Sequence, residues 1–184
     1  MPLGELFSFI SGLYFRGKLA YAQAFSAPPD GLSGSFVITA TAGLLPPETI
    51  VTLDRVREIA ANDIDAGVAG YRAPLDRDCQ SLLKRLGNSC EVVLLGSIAT
   101  SKYVEPLLQI FGKRLLFPAE FVGRGDMSRG GLMLRCVEAN EELAYIPVLN
   151  AVCHGPRPPK LSPPIRRSTT PKLDVPARNV ISER

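Results

Sequence analysis

The chain has 184 residues and a mass of 19.9 kDa, with 46% hydrophobic residues, which is enough for one buried core and excludes a wholly disordered protein. Sixteen Gly and sixteen Pro predict many loops. The formal charge is +3, yet residues 155–184 hold seven Lys+Arg against two Asp+Glu and the preceding 154 residues are net −2, which excludes a broadly basic nucleic-acid face on the core.

In chain order, Leu3, Leu6, Phe7, Ile10, Leu13, Tyr14, Leu19, Ala22 and Phe25 recur at roughly helical spacing, predicting one broken helix or two short ones. A Pro- and Gly-rich loop follows. Ser35–Thr39 is a short β-branched run of the kind buried on both faces of a sheet. Thr52 is a suitable N-cap for a helix over about 53–62, with Asp54 in its first turn. Leu75, Cys79, Leu82, Leu83 and Leu86 predict a helix over about 74–86, with Pro74 in the first turn and Gly87 at its stop. Glu91–Leu95 is a second buried strand, and it leads through Gly96–Ser101 into a helix from Lys102 to about Phe111. Leu115–Phe117 is a third short strand, 123–131 a glycine-rich loop, and Leu132–Val137 with Leu143–Val148 a closing hairpin.

Strands alternating with helices predict an α/β domain over 1–154. The expected architecture is three-layered, a mostly parallel or mixed central sheet with flanking helices and a C-terminal hairpin. Residues 155–184 hold seven of the sixteen prolines and are expected to be a disordered, basic tail. No run approaches the ~18 apolar residues of a membrane span, so a soluble cytoplasmic protein without a membrane partner is expected.

Cys79, Cys90, Cys136 and Cys153 show no C-x-x-C pairing, so neither a metal site nor a disulfide scaffold is indicated. The one histidine, His154, stands where the folded pattern gives way to the tail. No cofactor fingerprint is present: Gly96–Lys102 matches neither of the glycine-rich nucleotide motifs.

Three loops are candidates for chemistry. In an open parallel sheet, ligands bind beyond the carboxyl ends of the strands, where the 39–43 turn (Thr41, Gly43) and Gly96–Ser101 are expected to lie. Gly96, Ser97, Ser101 and Lys102 would surround an anion at a helix N-terminus, or the hydroxyls would simply cap the helix. In the 123–131 loop, Arg124 and Arg129 carry planar forks suited to phosphate or carboxylate. Asp126 and Ser128 are an acid/base or orienting pair, or they close the turn. A strand is expected to follow this loop, so no helix dipole acts on it. Arg16 and Lys18 place two cations in an apolar helical stretch, where they snorkel or find partners.

The order Leu13-Tyr14-Phe15-Arg16-Gly17-Lys18-Leu19-Ala20-Tyr21-Ala22, a buried strand, then Ala42-Gly43-Leu44-Leu45-Pro46-Pro47 resembles a bacterial α/β group. That group includes the peroxide-stress protein YaaA and the uracil-DNA-glycosylase-like domain of archaeosine synthase. The resemblance covers about 90 residues and implies a similar fold. The glycosylase water-activating motif and its later histidine motif are absent, since Thr39–Gly43 holds no carboxylate.

The leading expectation is an anion pocket for a phosphate-bearing ligand, nucleotide or nucleic acid, with Asp126 as the acid/base of any hydrolysis or group transfer. A second is a non-catalytic module whose Pro163-Pro164-Ile165-Arg166-Arg167 segment engages a protein partner. A third is an enzyme acting on a carboxylated metabolite through the same arginines.

Overall fold

A computed structural model describes residues 1–152, 155–156 and 158–161. His154, Cys153 and the Pro163–Arg167 segment, and with them the expected tail ligand, lie outside the described residues. The apolar N-terminal stretch forms two helices, α1 (Leu3–Ile10) and α2 (Gly12–Phe25), parted at Ser11. Pro2 caps α1 with no side-chain bond. Its first donors are satisfied instead by the chain at 47–49, through Leu3 N–H to Thr49 O (2.9 Å) and Gly4 N–H to Pro47 O (2.8 Å).

The strands make two small sheets of mixed orientation, where one central sheet was expected. β1 (Val37–Thr39) and β2 (Gly43–Leu45) form an antiparallel hairpin. β3 (Val92–Val93) lies parallel to β4 (Leu115–Pro118), which pairs antiparallel with β5 (Tyr145–Pro147). A mixed α/β fold is therefore present, but the Ser35–Thr39 strand turns straight back on itself.

Helix α3 (Leu53–Ala60) starts where its cap predicts, with the Thr52 hydroxyl accepting from Arg55 N–H at 3.3 Å. Helix α4 (Ala69–Arg85) begins five residues before Pro74, which lies inside it. Tyr71, buried in the added first turn, anchors that extension to the core. Helix α5 (Ser101–Phe111) also contains a proline, Pro106. A proline has no N–H for the carbonyl four residues earlier, here that of Lys102. The Tyr71 hydroxyl donates to that carbonyl at 2.9 Å, so α4 supplies the bond that Pro106 cannot.

The largest departure from expectation is at 126–139. The expected hairpin is absent: Asp126–Ala139 is a helix, α6, and only the second arm is a strand, paired with β4. The strand reading of the apolar run Leu132–Val137 is overridden by packing, because α6 lies along α2 and buries Met133 completely. Asn140, in the left-handed region at φ 54°, ends the helix, and its N–H reaches the Cys136 and Val137 carbonyls. Gly17 and Gly130 mark the closest approach of the two helices. A Cβ on Gly17 would lie 2.6 Å from Gly130 O, and one on Gly130 would lie 2.7 Å from Leu13 O.

The main core joins α2, α4, α5, α6 and the sheets around Leu75, Cys79, Leu115, Phe117, Phe121 and Met133, all fully buried. A smaller cluster of Leu3, Val37 and Val51 seats α1. Among the described residues, no helix is long and apolar enough to cross a membrane.

Two substitutions test these contacts by urea denaturation. Gly130→Ala is expected to cost roughly 2 kcal/mol, because forced separation of two backbones outweighs the ~1 kcal/mol gain in helix propensity. Gly131→Ala, whose Cβ would meet only a Leu161 methyl at 3.7 Å, should keep that gain. Tyr71→Phe is expected to cost about 1–2 kcal/mol by leaving the Lys102 carbonyl unsatisfied.

Candidate functional site

The α2–α6 contact sets one wall of a cleft of about 930 Å³, and the loop between β3 and α5 sets another. Tyr14, Lys18 and Tyr21 fall at i, i+4 and i+7 on α2 and all line it. Gly96, Ser97, Thr100, Lys102 and Tyr103 come from the β3–α5 segment, and Asp126 from the first turn of α6. The remaining walls are largely apolar, contributed by residues such as Phe36, Leu94 and Leu107.

Lys18 is the central cation of this cleft. Its Nζ lies 3.9 Å from the centre of the Tyr14 ring, a cation–π contact that partly replaces lost hydration. Asp126 and Arg129, both on α6, are close enough to act on its charge. Burial, aided by the Arg129 cation and opposed by Asp126, lowers the Lys18 ammonium to about 8. Among the described residues its ammonium enters no ion pair, and the Asp126 carboxylate instead faces Arg129 at 3.8 Å. The Tyr14 hydroxyl donates to Leu95 O at 3.2 Å, which joins α2 to the end of the β3 segment. Burial raises that phenol, while Arg129 pulls it back down.

Lys102, on the opposite wall, has its Nζ 5.1 Å from the Tyr103 ring centre. Ser97 turns its hydroxyl to Ala99 N–H at 3.2 Å, and Thr100 precedes α5 without a side-chain cap bond. On the far side, Tyr21 accepts from Leu143 N–H at 2.8 Å and lies 2.7 Å from the Tyr145 hydroxyl. Tyr145 donates to Glu142 at 2.8 Å. Burial, then these hydrogen bonds, pushes the Tyr145 phenol far up, so this chain holds β5 to α2 as neutral hydroxyls.

Of the residues singled out from sequence, Gly96, Ser97, Lys102, Asp126 and Lys18 line this one cleft, while Thr41, Gly43, Ser101, Arg124, Ser128, Arg129 and Arg16 do not. The 39–43 turn is a structural clasp. Thr39, buried, donates to Gly43 O and accepts from Ala42 N–H. The Leu44 N–H is bound by Asp78 of α4 at 3.0 Å. Gly43, at φ 67°, leaves no room for a Cβ against Pro74 O.

Both loop arginines are engaged by the protein itself. Arg124 donates to Glu120 O (2.9 Å), Ser128 Oγ (3.3 Å) and Pro159 O (3.5 Å). Arg129 donates twice to Phe121 O, at 3.2 and 3.1 Å, and lies over the Phe121 ring. Arg16 is exposed. Because 126–131 is the start of α6 and not a loop before a strand, the helix dipole does act here, favouring the Asp126 carboxylate in the first turn. Tyr14, Tyr103, Tyr21 and Tyr145 were not singled out. The i, i+4, i+7 spacing of Tyr14, Lys18 and Tyr21 was the legible signal for two of them.

The folded chain releases the Lys18 proton at about 8, against 10.5 for an ordinary lysine. The charged form therefore opposes folding below pH 8, and that opposition fades between about 8 and 10.5. Lys18→Met is expected to raise stability at pH 7 by on the order of 2 kcal/mol, with the difference shrinking at pH 10 in paired urea titrations. Compared with protein-family models, curated proteins and solved structures, the chain matches none.

Proposed function

We propose that the protein binds a small ligand that joins an apolar ring to a phosphate or carboxylate, in the cleft between α2, α6 and the β3–α5 segment. A nucleoside phosphate is the class that best suits these walls. The observation that carries this reading is Lys18, a cation withdrawn from water onto the Tyr14 ring without an ion pair among the described residues. A desolvated cation raises the free energy of the empty site, and an arriving anion lowers it. Lys102 offers a second positive group on the facing wall. Apolar side chains between them suit the ring. The resemblance of the 13–22 and 42–47 stretches to the uracil-DNA-glycosylase-like group adds a nucleobase as the ring of choice.

In any hydrolysis or group transfer on such a ligand, Asp126 takes the proton rather than Glu91 or Glu142, the other carboxylates lining the cleft, since its charge acts on Lys18 and its side chain faces Arg129. Arg124 and Arg129 act as supports of the α6 start.

Titration calorimetry with adenosine 5′-monophosphate, adenosine and inorganic phosphate tests the proposal. The monophosphate is expected to bind more tightly than either fragment, and Lys18→Met with Lys102→Met to weaken it about ten-fold or more, the loss of one to two charge-assisted contacts. Arg124→Ala should leave the affinity unchanged. Equal affinity in the double lysine variant, with folding intact, sinks the reading.

A further inference from the structure

The lysines of the described chain divide into two groups. Lys84, Lys113 and Lys160 are exposed, whereas Lys18 and Lys102 are partly buried and line the cleft. Of these two, only Lys18 is set beside a glycine crossing that brings a second helix against its own. Its helix packs along α6, and its Nζ lies over the Tyr14 ring. A carboxylate and a guanidinium on α6 act on its charge, with Asp126 raising and Arg129 lowering its proton affinity. Such an amine is oriented, sheltered and free of an ion-pair partner, which is the arrangement a nucleophilic lysine needs.

The geometry points to Lys18 as a carbonyl-capturing amine, one that forms an imine with an aldehyde- or ketone-bearing form of the anionic ligand proposed above. This inference rests on that reading of the cleft and adds to it the reactive group of the ligand. The neutral Nζ donates its lone pair to the carbonyl carbon as the carbonyl π pair moves to oxygen, which takes up a proton while nitrogen sheds one. The carbinolamine then expels its hydroxyl as water as the nitrogen lone pair closes the C=N bond. Both amine hydrogens leave with the oxygen, so water is the sole by-product and no oxidant or reductant is needed. Asp126, whose charge reaches Lys18 from α6, relays the proton from nitrogen to the departing hydroxyl through solvent. Burial, which brings the ammonium to about 8, leaves about a tenth of it neutral at pH 7, where an exposed lysine has almost none.

The test uses pyridoxal 5′-phosphate as the probe, an aldehyde with a ring and a phosphate. It is added below one equivalent to the full chain, trapped with borohydride and located by peptide mass spectrometry. The expected result is pyridoxyl label on Lys18 at roughly ten-fold or more over Lys84 and Lys113, lost in Lys18→Arg with unchanged melting. Label on Lys18 no greater than on Lys84 and Lys113 overturns the inference. Pyridoxine 5′-phosphate, which lacks the carbonyl, separates the two claims by calorimetry. If it binds while Lys18 stays unlabelled, imine formation is overturned and the anion cleft stands. If it does not bind and Lys18 is unlabelled, both fall. Label on Lys18 without such binding upholds the nucleophile and removes the anion reading alone.

Discussion

Two helices bring their backbones into contact only where neither carries a side chain, and Gly17 and Gly130 are that place for α2 and α6. The Lys18 wall of the cleft depends on this crossing. It puts Tyr14 and Lys18, on the turns flanking Gly17, beside the first turn of α6 with Asp126 and Arg129. It also explains why a segment with two adjacent glycines is helical at all. Each glycine weakens a helix by about 1 kcal/mol, and close packing against α2, with Met133 fully buried, outweighs that.

A second constraint fixes the opposite wall. Pro106 leaves the Lys102 carbonyl without its helical donor, and Tyr71 fills the gap from α4. The backbone of Lys102 is thereby tied to the core while its ammonium stays over Tyr103 at the cleft. The two cationic walls are thus positioned by two unlike devices, a missing pair of side chains and a missing amide hydrogen.

The distribution of positive charge follows from how each cation is bonded. Arg124 and Arg129 spend their donors on main-chain carbonyls of the 120–121 turn, and Arg124 also reaches Pro159. Guanidinium groups suit that role because their planar donors meet carbonyls in fixed geometry. Lysine, with a single flexible point charge, is left facing the cavity. The cleft therefore presents amines, Lys18 and Lys102, on walls that also carry the Asp126 carboxylate.

The apolar spacings of α1 to α5 were readable because local rules suffice there: Thr52 caps α3 and Leu75 to Leu82 mark the buried stripe of α4, although the first turn of α4, held by Tyr71, was not. β4 and the mixed α/β class were readable too. Helix α6 was not, since the short apolar run Leu132–Val137 suits a strand as well as a helix and its helicity comes from packing on α2, over a hundred residues away. For the same reason the site was half legible. Which side chains carry charge and hydroxyls, and that Lys18 stands in an apolar stretch, can be read from the chain alone. Which of them face one cleft is set by the packing, because burial, ion pairing and main-chain capture of an arginine depend on contacts between segments far apart in the chain.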